Sequence, residues 1–164
     1  MVLLGKGGSG AAAWEAWIEQ VIGPIQGRDG SAGFMVLFPH AAPTPVSHWE
    51  QVVPWQIRHH GVFTQGDCLS WRPGSGLLLS GLAREEVASV RIELAGRASV
   101  TVATFGRDQP VPWVAFVSPP LPADAKLQRV VALDTADRTI GVQERFGWTW
   151  SAGWSPPSCR PRAG

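Results

Sequence analysis

The chain reads as all-β: an antiparallel β-sandwich or a small β-barrel, with at most one short helix, near the N-terminus. Three observations predict this. Apolar residues alternate with polar ones, most clearly in Ala88-Ser89-Val90-Arg91-Ile92-Glu93-Leu94, where Ala, Val, Ile and Leu share one face. That period of two marks a half-buried strand. Residues 87–145 hold several such runs at short, even spacing. The breaks between runs are filled with Gly, Pro and Asp, the residues that turn a chain or end a ladder.

The organising stretch is Val87 to Arg145. After the first run, Ala95-Gly96-Arg97 is a turn, and alternation resumes from Ala98 to Phe105. The polar Gly106 to Pro110 interrupts it. Trp113-Val114-Ala115-Phe116-Val117 is apolar on both faces, as expected of a strand covered on both sides. Pro119, Pro120 and Pro122 end it. Leu127 to Leu133 forms another strand, Asp134 to Arg138 a hairpin-like turn, and Thr139 to Glu144 the return strand.

This order of strands and turns resembles a domain of secreted or envelope proteins of high-GC actinobacteria. The resemblance rests on VASVRIEL, then VPWVAFVSP, then the hairpin at Val130 to Gly141, where Asp137 stands in place of the pattern's usual Gly. It covers about a third of the chain and concerns strands and turns, not chemistry. It implies an immunoglobulin-like sandwich and an extracellular or envelope location. Met1-Val2-Leu3-Leu4 is too short and uncharged for a signal peptide, so a cytoplasmic location stays open.

Val2-Leu3-Leu4 runs into Gly5-Lys6-Gly7-Gly8-Ser9-Gly10. A strand leading to a Gly-rich turn is the setting of a phosphate loop, and the string resembles the deviant Walker A motif of ParA-like ATPases. Ala11 and Ala12 stand where that motif needs Lys and Ser or Thr, so nothing would pair the phosphates or hold Mg²⁺. A flexible turn is the simpler reading. From Ala11 to Ile22, Trp14, Trp17, Ile18 and Val21 form a helical stripe, but Trp14, Ala16 and Ile18 also alternate with Glu15, Trp17 and Glu19. Aromatic and β-branched content favours the strand. Beyond it, Gln26 to Gly33 is a turn, Phe34 to Phe38 a buried strand, and Ala41 to Ser47 a loop. An edge strand is expected at Val52 to Ile57, broken by Pro54. Short strands follow at Val62 to Thr64, Cys68 to Trp71 and Leu77 to Leu79.

At 164 residues the chain fits a single β domain over 1–147, with an irregular Trp- and Pro-rich tail over 148–164. Hydrophobic residues at 45% suffice for a core. A net charge of +1 argues against a general nucleic-acid binder, which needs a basic stripe. No apolar run approaches the ~18 residues of a transmembrane helix. Cys68 and Cys159 are the two cysteines. Joined, they would close a loop of about 91 residues, worth up to roughly 4–5 kcal/mol in the chain-entropy model; two free thiols are the equal alternative.

No pattern specifies catalysis. His59 and His60 are adjacent, and on a strand they would point to opposite faces, away from any shared metal with His40 or His48. Glu15 and Glu19 read as a solvated edge. A Cys68–His pair has no supporting spacing. Neither a cofactor nor a metal is expected. The nine tryptophans are the strongest signal. Trp14, Trp17, Trp55, Trp71 and Trp113 are the candidate ligand-binding residues, because indole joins a large apolar area to a polar N–H. They suit a partner-binding apolar surface on a non-enzymatic module. Other uses are an apolar pocket for a small molecule or for a cyclase-like enzyme, a sugar-stacking platform, or simply core packing. The partner is thus a protein or an apolar small molecule.

Overall fold

The computed structural model describes residues 1–10, 13–21, 31–40, 46–52, 54–68, 76–122 and 124–144. Among them the chain is all-β, with three antiparallel sheets, no closed barrel and one short helix. The barrel alternative is therefore set aside in favour of open, stacked sheets.

The first sheet is a consecutive meander of β1 (Val2–Gly7), β2 (Trp14–Val21), β3 (Ser31–Phe38) and β4 (Val46–Val52). The strand reading of residues 14–21 holds, and no helix forms there. Two expectations fail nearby. The strand β1 runs on through Gly5, Lys6 and Gly7 instead of turning at Gly5. The reason is steric: a Cβ on Gly5 would lie 2.6 Å from the Phe105 ring, and one on Gly7 2.5 Å from the Trp14 indole. These glycines make room for two stacked aromatics, whose centroids are 5.3 Å apart. The second concerns Val46 and Ser47, the end of the expected loop Ala41 to Ser47, whose residues 41–45 lie outside the described residues. Val46 already pairs with Phe38, so β4 starts there. Its sequence, VSHWEQV, lacks the apolar density that marks a strand.

Trp55 to Ile57, expected in a broken edge strand, lies instead in the helix α1 (Pro54–His60). Pro54 is its first residue, where a missing N–H costs nothing and the fixed φ suits a helix. Gly61, at φ 76°, ends it and donates its N–H to the Ile57 carbonyl at 2.7 Å. This is a left-handed C-terminal cap. It turns the chain into the middle sheet, formed by β5 (Val62–Cys68), β6 (Leu77–Arg84) and β9 (Trp113–Val117) in the order β5-β6-β9. Val62 to Cys68 is one unbroken strand, not two short ones around Gly66-Asp67, because each residue pairs with β6.

The third sheet contains β7 (Ser89–Leu94), β8 (Val100–Ala103), β10 (Leu127–Leu133) and β11 (Thr139–Gln143), ordered β11-β10-β7-β8. The stretch from Val87 is thus split between sheets. After β8 the Thr104 hydroxyl donates to the Val87 carbonyl at 2.6 Å. Phe105 then exchanges both backbone hydrogen bonds with Ala115, each 2.9 Å. The chain leaves the third sheet there, and β9 joins the middle one.

The sheets stack in three layers with the β5-β6-β9 sheet between the others. Leu79, Val90, Ile92, Phe116, Val130 and Ala132 belong to the core shared with the third sheet. Ile18, Phe34, Val36, Phe38, Leu78 and Leu82 belong to the core shared with the first. Strand β6 feeds both: Leu77, Leu79 and Ala83 face one way, Leu78 and Leu82 the other. In β9, Val114 and Phe116 face the third sheet and Ala115 the first, as the doubly apolar sequence of β9 implies. Each large side chain so buried contributes about 1.5–3 kcal/mol.

Candidate interaction face

Among the described residues the first sheet has an inner face that closes a core and an outer face that does not. In β2, Ala16 and Ile18 are buried while Trp17 between them is half-buried. In β3, Phe34, Val36 and Phe38 are buried while Met35 and Leu37 are half-buried. The hydrogen-bond register aligns the outward positions into rows across the strands. Leu3 pairs with Trp17, Trp17 with Met35, and Met35 with Trp49. A parallel row runs Lys6, Glu15, Leu37, Ser47. On the other side Glu19 pairs with Gly33. Cross-strand neighbours of this kind stand about 5 Å apart.

Trp17 is held in place. Its indole N–H donates to Glu15 Oε2 at 3.2 Å, and Glu15 Oε1 accepts from Lys6 Nζ at 2.7 Å. The Lys6 hydrogen bond holds the Glu15 carboxyl below its ordinary range, against a smaller opposing effect of burial. With its N–H engaged by Glu15, the Trp17 indole has a fixed orientation.

The outer face of the third sheet differs. There Glu93 accepts from Arg129 and, at 3.1 Å, from Arg91. The Arg129 hydrogen bond is the main cause that lowers the Glu93 carboxyl and raises the Arg129 guanidinium.

The other sequence-predicted residues do not converge on one place. Trp14 packs against the core beneath the first sheet and stacks on Phe105. Trp113 packs on the same core and also lines a cleft of about 260 Å³ with Ile57, Pro112, Arg58, Arg84, Glu85 and Glu86. Small-molecule pockets more often measure ~300–1,000 Å³. Much of the cleft's charge is internally matched, since Arg84 donates to the Ile140 carbonyl and lies 3.4 Å from Glu86. Trp55 is on α1, Cys68 ends β5, and Trp71 and Cys159, like the 148–164 tail, lie outside the described residues.

His59 and His60 sit edge to face at the end of α1, with centroids 4.7 Å apart, instead of on opposite faces of a strand. Among the described residues no group of three or more His, Cys, Asp or Glu is placed to hold a metal. None of their helices is long and apolar enough to cross a membrane. The Gly-rich N-terminal string is split: Gly5 to Gly7 lie in β1, with Lys6 turned to Glu15, and Gly8 and Gly10 follow at positive φ.

Sequence reasoning named Trp17 but not Leu3, Met35 or Leu37, its neighbours on this face. Their apolar character was visible, but their grouping depends on register across four strands. The molecule is thus an all-β protein of three stacked antiparallel sheets with one apolar outer row. Comparison with protein-family models, with characterised proteins and with solved structures gives no match.

Proposed function

We propose that this chain is a non-catalytic interaction module that binds a protein partner through the outer face of the β1–β4 sheet. The observation that carries the reading is the row Leu3, Trp17, Met35, which crosses three strands on the side away from the core. Interface cores are apolar and depleted in charge, and tryptophan is among their commonest anchors. Among the described residues the charged side chains flanking the row are Lys6 and Glu15, which neutralise each other, and Glu19. The resemblance of the Val130 to Gly141 hairpin to envelope domains suits such a module.

The test places a photo-reactive benzoylphenylalanine at position 35, with position 101 on the exposed edge of the third sheet as control. A partner captured from 35 and not from 101 is purified and its affinity measured by calorimetry. Trp17→Ala is expected to cost about 2 kcal/mol, a roughly thirtyfold loss. A purified partner that binds Trp17→Ala and Met35→Glu as tightly as the parent would place the interface elsewhere.

A further inference from the structure

We infer that the outer face of the third sheet is covered by the C-terminal segment of the same chain, residues 145–164, through its tryptophans Trp148, Trp150 and Trp154. The observation that carries this is burial on the side of the sheet away from the core. In β10, Val130 and Ala132 point into the core, so Val131 and Leu133 point outward. Neither belongs to either core. Yet Val131 is only 2% exposed and Leu133 only 3%. Met35 holds the equivalent outward position on an inner strand of the first sheet and is half-buried.

The described residues do not supply this cover. The elements packed on the third sheet, namely β5, β6, β9 and α1, lie on its core side. Across the sheet Val131 has Arg91 and Val142 for neighbours, and Leu133 has Ser89 and Thr139. Arg91 turns to Glu93, away from Ser89 and Leu133. Arg129, also bound to Glu93, stands ~13 Å from Leu133 along the strand. The Arg138 side chain is 79% exposed and held at Asp134. Ser89 and Thr139 are too short to roof a leucine.

Connectivity points to the segment after Glu144. The stretches 22–30, 41–45 and 69–75 join strands within the first and middle sheets. The stretch 145–164 instead continues from β11, which is an edge strand of the third sheet and the neighbour of β10. Strand β11 ends beside Val130, ~10 Å from Leu133 along β10. Residues 145–164 can span up to ~66 Å when extended, ample to return over the face. They include Phe146 and the three tryptophans. One indole buries ~150–250 Å², enough to seal a valine and a leucine together.

The chemistry of the face suits these side chains. Val131, Leu133 and Val142 form an apolar strip, and the ion-paired Arg91, Glu93 and Arg129 border it. An indole on the strip packs against the aliphatic groups and stacks on a neighbouring guanidinium. Three of the nine tryptophans thereby gain a packing partner within the chain. The inference concerns a different face from the interaction reading above and does not depend on it.

Photo-crosslinking of the full chain tests it. Benzoylphenylalanine replaces Thr139, which is exposed beside Leu133, so the label leaves the fold alone. The exposed Ser47 on the first sheet is the control position. After irradiation of dilute protein and digestion, mass spectrometry should find position 139 joined to peptides of residues 145–164, and position 47 not. Isotope-labelled and unlabelled chains are mixed beforehand, and the joined peptides should come from one chain. Combining Trp148→Ser, Trp150→Ser and Trp154→Ser should lower the yield several-fold. Leu133→Ala should also lower the urea midpoint by more in the parent than in that triple variant, because the two sites are in contact. Absence of the link from position 139, or links mainly between differently labelled chains, overturns the inference. Equal midpoint shifts in the two backgrounds overturn it as well, since the tryptophans would then not lie on Leu133.

Discussion

Asp137 has a backbone φ of 56°, the left-handed conformation that favours glycine. The neighbouring Asp134 stabilises this turn. One carboxylate oxygen accepts the N–H groups of Ala136 at 2.9 Å and Arg138 at 3.0 Å, and the other accepts from the Arg138 guanidinium at 2.8 Å. Asp137→Gly should relieve the left-handed strain, in part offset by a more flexible unfolded chain, for a gain of about 0.5–1 kcal/mol. Urea denaturation midpoints measure it; a loss of stability would mean the Asp137 side chain supports the turn. The hydrogen bonds from the Arg138 backbone and side chain hold the Asp134 carboxyl below its ordinary range. A depressed folded value means that its contribution is fully present above the unfolded value of about 3.9 and fades as pH falls through the folded one. Asp134→Asn should therefore destabilise at pH 7, and the gap from the parent should narrow in strong acid. Parallel urea titrations at the two pH values test this, and a gap that does not change with pH would remove the carboxylate's charge from the explanation.

At the level of elements, β1 shows how small residues set a strand's course. Gly5 and Gly7 leave room for the stacked rings of Phe105 and of Trp14 on the neighbouring strand. Gly5→Ala drives a methyl group against Phe105 and should cost about 1–3 kcal/mol, the usual penalty for overpacking. Thermal or urea unfolding measures it, and no change would mean that Phe105 moves aside freely. The same strand carries Lys6 to Glu15 and so fixes the Trp17 ring. The first half of the Gly-rich string that suggests a phosphate loop, Gly5 to Gly7, is in place the end of a strand that admits two aromatics.

For the whole molecule, the central fact is that both cores share the middle sheet. Leu78 and Leu79 are adjacent on β6 yet belong to opposite cores. Truncating either to alanine should cost about 2–5 kcal/mol. Because the sheet between them is common, both variants should shift one cooperative transition. Far-UV circular dichroism and tryptophan emission should then give coincident midpoints, the usual sign of two-state unfolding. Two separated transitions would show that the layers fold independently. Among the described residues the outer faces of the stack differ in chemistry, with the row Leu3, Trp17, Met35 on the first sheet and Arg–Glu pairs on the third.

The local code of this chain was sufficient for its β class, for the doubly covered β9, and for the hairpin at Asp134 to Arg138; over residues 11–22 it fitted helix and strand alike, and pairing with β1 and β3 decides for the strand at Trp14–Val21. Alternation, apolar runs and turn residues report backbone conformation and burial directly, since they act over a few neighbouring residues. Strand β4 was not legible, because HWEQ carries little hydrophobic signal and its pairing with β3 supplies what propensity does not. Nor was α1, where Pro54 begins a helix as readily as it breaks a strand. The three-layer stack and the row Leu3, Trp17, Met35 were decided only by tertiary structure. They depend on which strands pair and in what register, and a shift of one residue would turn Trp17 to the core and Ile18 to the outside.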